Sequence, residues 1–387
     1  MAYSGKISVT GFAQAFTEIL RFVTGDSTTP GRDWQIVHSE VDTQDTNFDY
    51  ITFSGSITIY ALDTWYDLPV GCITDYNFSV GTISLTEGVD YQVDWLLGRV
   101  KFLSGINTIS SLLNTTTGTV VTYSVNFRRV QIVLNNTGIS GTESINVGML
   151  LCSAGYGKAN VLLKTYKMFI PGYTNFFDTT VGNPNNVTSD GTFQSAFGMW
   201  NGYMDMWIFS SKQRIIIVVR SDTYYSFAYI GKFFPFGSPA EYPYPYTCIG
   251  DLNICYSNVA NTYIKWYDST DTNRHFIAKA YFGTIGYYNN QLINVDGSWI
   301  RNATLSPTTN NTAHWLTIDY ISGYSPVIFP IYITYNNQVL GEFESCYFTP
   351  YVGITTESII TIGTDTYIVF QDCFRNTYDS YMAIKCE

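Results

Sequence analysis

Residues 214–230 read RIIIVVRSDTYYSFAYI, and this stretch decides the class of fold. A run of Ile and Val from 215 to 219 stands between Arg214 and Arg220 and is far shorter than the roughly 20 residues of a helical membrane span. β-branched and aromatic residues favour strands, so strands are predicted at 214–220 and 224–230. We therefore expect a β protein without a membrane span.

The same pattern continues over most of the chain from about residue 48. Short apolar or alternating runs are separated by clusters of Gly, Pro, Asn and Asp, with no repeat of equal period. Further clear strands are predicted at 120–127, 131–134, 161–169, 327–335 and 359–370. These features predict a mainly β fold of antiparallel sheets, arranged as a β-sandwich or an open barrel.

Two regions differ from this main β domain. At residues 10–24 apolar side chains recur with helical spacing, which predicts one short helix with Thr10 as N-cap and Gly25 at its end. Residues 50–60 predict two strands around Ser54-Gly55 within a small inserted β module. The predicted organisation is an N-terminal helix and arm (1–44), a small β-sandwich module (45–129) and a main β domain (130–387).

The composition bears on the class of function. Only 13% of residues are charged, 17% are aromatic and the net charge is −11. Abundant large apolar side chains exclude a disordered chain, and the acidic balance without a Lys/Arg run argues against nucleic-acid binding. A surface of neutral polar groups loses little solvation when it is covered, which favours a subunit of a larger assembly over a monomer with a tyrosine-rich exterior.

Residues that could carry chemistry form no recognisable site. The seven cysteines contain no CxxC pair, and the three histidines, His38, His275 and His314, accompany no nucleophile motif. No signal peptide is visible, so the cysteines are expected to be buried, reduced thiols. The sequence therefore predicts no enzyme, no cofactor and no metal.

The most unusual stretch runs from Tyr229 to Tyr246, where prolines and aromatic residues alternate. Proline fixes φ and removes a donor, so this segment is expected to be a stiff, extended loop. It is interpreted either as a sugar- or partner-binding aromatic surface or as an ordered loop that packs on the protein itself. The candidate partner-contact residues are Phe12 and Phe16 on the helix, with Phe233, Phe234, Phe236, Tyr242, Tyr244 and Tyr246 on this segment.

Four segments carry a resemblance to a known family: 131–148, 206–220, 231–246 with its Tyr-Pro-Tyr-Pro, and 363–376. Through them the sequence resembles virion structural proteins of tailed bacteriophages and prophages. The resemblance implies a particle component of the tail or baseplate, with the neck as second choice, assembled in the host bacterial cytoplasm. Its implied partners are copies of itself and other virion proteins, and it brings no catalytic residues.

Two other functions stay open. Aromatic loops of a tail protein could bind a glycan of the host surface. A glycan hydrolase would need two carboxylates in one cleft, roughly 5–10 Å apart. The acidic residues to compare with that requirement are Asp49, Asp90, Asp94, Asp178, Asp205, Asp251 and Asp296.

Overall fold

The structure is a computed structural model. It describes residues 1–41, 51–128, 130–155, 158–166, 169, 193–236, 246–250, 252–257, 262–263, 291–293, 299–300, 304–306, 318–319, 328–335, 338–349, 351–352, 354–371 and 381–386.

The N-terminal segment and the inserted module come first in the chain. The N-terminal elements are β1 (Ala2–Thr10), α1 (Phe12–Thr24) and β2 (Gln35–Val41). The module contains β3 (Ile51–Ile59), β4 (Trp65–Asp67), β5 (Ile73–Val80), β6 (Ile83–Ser84), β7 (Tyr91–Asp94), β8 (Arg99–Phe102), α2 (Thr108–Leu112) and β9 (Thr119–Phe127).

The rest of the described chain consists of strands. The first group is β10 (Val130–Asn136), β11 (Ile145–Gly155), β12 (Lys158–Tyr166), β13 (Phe193–Trp200), β14 (Tyr203–Ser210), β15 (Arg214–Ser221), β16 (Tyr224–Lys232), β17 (Phe234–Pro235), β18 (Tyr246–Gly250), β19 (Leu252–Ser257) and β20 (Thr262–Tyr263). The second group is β21 (Gln291–Ile293), β22 (Trp299–Ile300), β23 (Thr304–Ser306), β24 (Ile318–Asp319), β25 (Phe329–Tyr335), β26 (Gln338–Thr349), β27 (Tyr351–Val352), β28 (Ile359–Ile362), β29 (Asp365–Gln371) and β30 (Tyr381–Lys385).

Three large antiparallel sheets organise these strands. We call β1-β14-β15-β16-β18-β21-β22 the middle sheet, β2-β10-β11-β12-β13-β19-β20 the first outer sheet and β23-β25-β26-β30-β29-β28 the second outer sheet, with β17 paired to β26. The module has two smaller sheets, β3-β9-β5-β6 and β4-β8-β7. One short parallel pair, β24 with β27, lies apart from them.

Strand β15 explains why the layers stack three deep. Its Ile215, Ile217 and Val219 belong to the core shared with the first outer sheet, α1 and the module. Its Ile216 and Val218 belong to a second core shared with the second outer sheet. A strand that is covered on both faces needs apolar residues at every position, which accounts for the unbroken Ile/Val run.

The N-terminal residues are part of this body. Strand β1 pairs with β14 in the middle sheet, and β2 pairs with β10 in the first outer sheet. The module leaves the body after β2 and returns at β10, so it is inserted between two neighbouring strands of one sheet. Helix α1 joins the two parts, because Arg21 donates hydrogen bonds to the carbonyl oxygens of Leu68, Leu97 and Gly98.

The predicted fold class is confirmed: the chain is mainly β, its large sheets are antiparallel as in a β-sandwich, and no sheet of the described residues closes into a barrel. Helix α1 is also present, but its N-cap is Gly11, and Gln14 Oε1 instead accepts the backbone N–H of Thr10 at 2.8 Å. Gly11 takes φ of 98°, a left-handed conformation that glycine adopts easily.

The prediction of two strands around Ser54-Gly55 is wrong. Strand β3 runs unbroken through both residues and pairs with β9 at every position. A side chain at Gly55 would meet the hydroxyl of Tyr123, its cross-strand partner, at 2.6 Å. The tyrosine ring therefore occupies the place of a side chain, which allows a glycine inside a strand where the sequence indicated a turn.

In the part of the chain that the structure describes, neither helix is long and apolar enough to cross a membrane.

Candidate functional site

The two candidate residues on α1 lie inside the protein. Phe12 is 6% exposed and Phe16 is fully buried. Both belong to the core that α1 shares with the middle sheet, the first outer sheet and the module. The Phe12 ring meets Phe127 of the module edge to face, with centroids 6.5 Å apart. In this conformation both rings pack against the chain itself and are covered from any partner.

The aromatic segment after β16 has a buried and an exposed part. Phe233 is buried in the second core, whereas Phe234 and Phe236 are each 51% exposed. The two exposed rings meet edge to face at 6.2 Å, and Phe236 also contacts Tyr332 at 5.9 Å. We call Phe234, Phe236 and Tyr332 the aromatic patch.

Two features hold the aromatic patch in place. Phe234 pairs with Glu342 in β26, and Pro235 pairs with Gly341. Gly341 is needed there, because a side chain would run into the Phe234 carbonyl and approach the Phe233 ring to 2.8 Å. The segment is thus an edge strand of the second outer sheet, and a proline fits at an edge position.

Of the three tyrosines proposed as contact residues on this segment, the structure describes one. Tyr246 is buried at the start of β18, where its hydroxyl donates to the carbonyl of Ser144 at 3.4 Å. Tyr242 and Tyr244 lie outside the described residues.

A charged cluster ties the middle sheet to the second outer sheet at one end of β15. Asp205, 2% exposed, accepts hydrogen bonds from Ser8 at 2.7 Å and Tyr203 at 3.0 Å, and it forms ion pairs with Lys6 at 2.9 Å and with Arg220. Burial by itself raises the pKa of Asp205, but these hydrogen bonds outweigh it and lower the pKa to about 2. Asp205 therefore stays ionised and fully occupied by its partners.

Glu357, in the turn that leads into β28, completes this charged cluster. It forms ion pairs with Arg220 and with Lys6, and it accepts a hydrogen bond from the Tyr225 hydroxyl at 2.8 Å. The charges of Lys6 and Arg220 also lie over the Trp207 ring, at 5.6 and 5.7 Å. The cluster joins side chains of β1, β14, β15 and β16 to the turn before β28.

A similar junction stands at the other end of β15. Arg214 is 1% exposed and forms an ion pair with Glu344 of β26 and a hydrogen bond to Gln213. The two arginines that bracket the Ile/Val run thus each bind a glutamate, Glu344 in β26 and Glu357 in the turn before β28. Sequence reasoning missed these pairings, since nothing in the strand pattern indicates which glutamate stands opposite.

The carboxylates considered for hydrolysis have structural partners where the structure describes them. Asp90 is 2% exposed and accepts the backbone N–H groups of Thr86 and Ile109, at 2.9 and 3.1 Å. Asp94 accepts the N–H of Leu97 at 3.0 Å. The other candidates, Asp49, Asp178, Asp251 and Asp296, lie outside the described residues.

The cysteines that can be placed are in the interior. Cys72, Cys346 and Cys386 are buried and form no disulfide bond. Burial raises the pKa of the Cys72 and Cys346 thiols well above its usual value. Among the described residues, no three His, Cys, Asp or Glu side chains come together as metal ligands.

A surface with a single charged side chain lies on the module. We call the outward side of β3, β9 and β5 the hydroxyl face, because Ser and Thr dominate it. Thr52 donates to Asn126 at 2.8 Å, and Ser79 and Thr122 share a hydrogen bond of 2.7 Å across the strands. Its eleven side chains are Thr52, Ser54, Ser56, Thr58, Asp75, Asn77, Ser79, Val120, Thr122, Ser124 and Asn126.

The period-two pattern of 120–127 already indicated one strand of the hydroxyl face, whereas the neighbours of that strand follow only from the pairing. No protein-family profile matches the sequence, and no curated protein is significantly similar to it.

Proposed function

We propose that this chain is a non-enzymatic structural subunit of a tailed-bacteriophage virion, located in the tail or baseplate. In this role it acts through contacts with copies of itself and with other virion proteins. It is synthesised in the bacterial cytoplasm, where buried thiols such as Cys72 and Cys346 stay reduced. The resemblance of four sequence segments to such proteins motivates the proposal.

The observation that carries the proposal is the hydroxyl face. Of its eleven side chains only Asp75 is charged. Covering neutral hydroxyl and amide groups costs less than covering ions, because their hydrogen bonds to water are easily replaced by hydrogen bonds across an interface. A face of this composition suits repeated contacts between subunits.

The three stacked sheets to which the module is attached are suited to transmitting force between subunits. Three stacked sheets share two apolar cores, and ion pairs at both ends of β15 connect the middle sheet to the second outer sheet. Arg21 fixes α1 to three carbonyl oxygens of the module. A subunit held at so many points can pass force between neighbours without local unfolding.

Deleting the coding sequence from the phage genome tests this role. We expect lysates with filled heads but with missing or incomplete tails in negative-stain micrographs, restored by a copy supplied in trans. Complete, infectious particles from the deletion strain would contradict the proposal.

The aromatic patch supports a second candidate function, binding of a host-surface glycan. Phe234 and Phe236 are half exposed and close together, and sugar rings stack on exposed aromatic faces. Binding of the chain to host envelope that is lost in F234A/F236A would support this function. The control is I139A, which removes an apolar side chain that is 73% exposed elsewhere. Equal envelope binding by all three proteins, or none by the unsubstituted chain, would exclude it.

A further inference from the structure

Strand β3 forms an open edge of the module. It is the outermost strand of β3-β9-β5-β6, and among the described strands it pairs with β9 alone. Its central residues Ser54, Gly55 and Ser56 are exposed. Residues 51–59 read ITFSGSITI and contain no charge and no proline.

Such an edge is unusual because proteins normally protect it. Lysine, proline, a bulge or an inward-pointing charge prevents an exposed edge strand from pairing with another chain. Strand β3 has none of these, since its register with β9 is unbroken over all nine residues. The open edge is therefore able to accept another strand.

The sequence of β3 is almost the same in both directions. When two copies are laid antiparallel about Gly55, the pairs are Ile51 with Ile59, Thr52 with Thr58, Phe53 with Ile57, Ser54 with Ser56, and Gly55 with itself. In each of these pairs the two positions differ by an even number, and side chains alternate between the two faces of a strand. The outward side chains of one copy therefore stand beside outward side chains of the other, and inward beside inward. Hydroxyl side chains then meet hydroxyl side chains, and apolar side chains meet apolar side chains.

We propose that the β3 edges of two copies of this chain pair antiparallel, with a two-fold axis midway between the two Gly55 residues. The result is a continuous eight-stranded sheet across two modules, with the two hydroxyl faces joined into one surface. A two-fold contact requires a self-complementary patch, and β3 is self-complementary in both sequence and pleat. The proposal names one contact of the proposed subunit, and it rests on the virion role only for its biological setting.

The side chains of β3 gain cover from this pairing. Ile51, Phe53 and Ile57 point inward, but each is only partly buried at the edge of the module core. A second β3 about 4.8 Å away would cover them with the same residue types. At the axis, the Tyr123 ring over Gly55 fills the inner side of each copy, so two glycines meet without a void in the pleat.

Charge exchange on the hydroxyl face tests the contact with purified full-length chain. In S54K/S56K each new lysine stands opposite a lysine of the other copy. Both positions are exposed, so the fold of the module should be kept. Sedimentation velocity over a concentration series should show a dimer for the unsubstituted chain and dimerisation about tenfold weaker, or more, for S54K/S56K. Mixing S54K/S56K with S54E/S56E should restore the dimer as a heterodimer.

The matched control is N77K/S84K. It adds the same charge on exposed positions of β5 and β6, on the side of the sheet opposite to β3, and should dimerise like the unsubstituted chain. An unsubstituted chain that stays monomeric throughout the series would overturn the proposal. A dimer unaffected by S54K/S56K would overturn it as well, since another surface would then hold the copies together.

Single cysteines test the register. In the proposed pairing residue 54 stands opposite residue 56, at about 5 Å between Cβ atoms, whereas two copies of residue 54 are diagonal at about 7–8 Å. Mild oxidation of a mixture of S54C and S56C should therefore give a 54–56 disulfide in peptide mass spectra. Each variant alone, and the unsubstituted chain, should give far less of any cross-link through this strand. Equal cross-linking in the mixture and in S54C alone would contradict the register. Particle imaging tests the virion role separately, so failure of one idea leaves the other measurable.

Discussion

Replacing Asp205 with Asn tests whether the charged cluster at the end of β15 holds two sheets together. The substitution keeps the shape of the side chain and an oxygen that accepts from Ser8 and Tyr203, but it removes the charge facing Lys6 and Arg220. Those two cations keep Glu357 as a partner. The loss should therefore be smaller than the cost of a buried charge left without any partner.

The magnitude follows from the pKa of Asp205. Hydrogen bonds in the folded protein outweigh the effect of burial and lower the pKa from 3.8 to about 2. At 1.36 kcal/mol for each pKa unit, this difference corresponds to about 2.5 kcal/mol of stability at neutral pH. Because the folded-state pKa is the lower one, the contribution is present above about pH 4 and is lost as the pH falls towards 2.

Urea unfolding followed by circular dichroism at pH 7, 4 and 3 measures this contribution. D205N should lower the free energy of unfolding by about 2–3 kcal/mol at pH 7, and the difference from the unsubstituted chain should shrink at pH 3. D75N is the control, because Asp75 is exposed and, among the described residues, its side chain accepts a hydrogen bond from the Thr74 hydroxyl alone. It should change stability by less than about 0.5 kcal/mol. If D205N behaves like D75N at every pH, the cluster does not stabilise the fold.

Three further predictions concern the module, the aromatic patch and the thiols. R21M leaves the carbonyl oxygens of Leu68, Leu97 and Gly98 without this donor and should lower the free energy of unfolding in urea by about 2–4 kcal/mol. The control R99M removes a surface ion pair with Asp67 and should cost less than about 1 kcal/mol. Equal losses in the two variants would contradict a special role of Arg21. G341A pushes a methyl group towards Phe233 and the Phe234 carbonyl, so it should lower the free energy of unfolding by about 1–3 kcal/mol and reduce the melting temperature. In the control G202A the added methyl meets open space, and the melting temperature should stay the same. An unchanged melting temperature for G341A would contradict the close packing. Burial raises the pKa of the Cys72 and Cys346 thiols, so neither should react with iodoacetamide in the native protein, whereas both should react in urea. Peptide mass spectrometry measures the labelling. Rapid labelling of the native protein would show that these thiols are accessible to solvent.

The class of fold could be predicted from the sequence because strand signals are local. The Ile/Val run between Arg214 and Arg220 forms β15, and the helical spacing at 10–24 forms α1. The stacking of three sheets could not be predicted, since an unbroken apolar run shows that both faces of a strand are covered but not by which partners. Strand β1 was missed for a related reason: Ser4 and Gly5 interrupt its pattern at the irregularity between Tyr3 and Lys6.

The candidate contact residues show the limit of composition arguments. Phe12, Phe16, Phe233 and Tyr246 are aromatic and near turns or termini, as exposed contact residues often are, yet all four are buried. Phe234 in β17 and Phe236, which directly follows that strand, are exposed. The difference depends on long-range pairing of β17 with β26, for which the sequence near 234 contains no signal.

The most direct test of the virion role is a cryo-electron microscopy reconstruction of purified particles from the phage that encodes this chain. We expect symmetry-related copies of the three-sheet body in the tail or baseplate, with the inserted modules at contacts between subunits. Complete particles whose density holds no copy of this body, with the chain absent from their mass spectra, would contradict it.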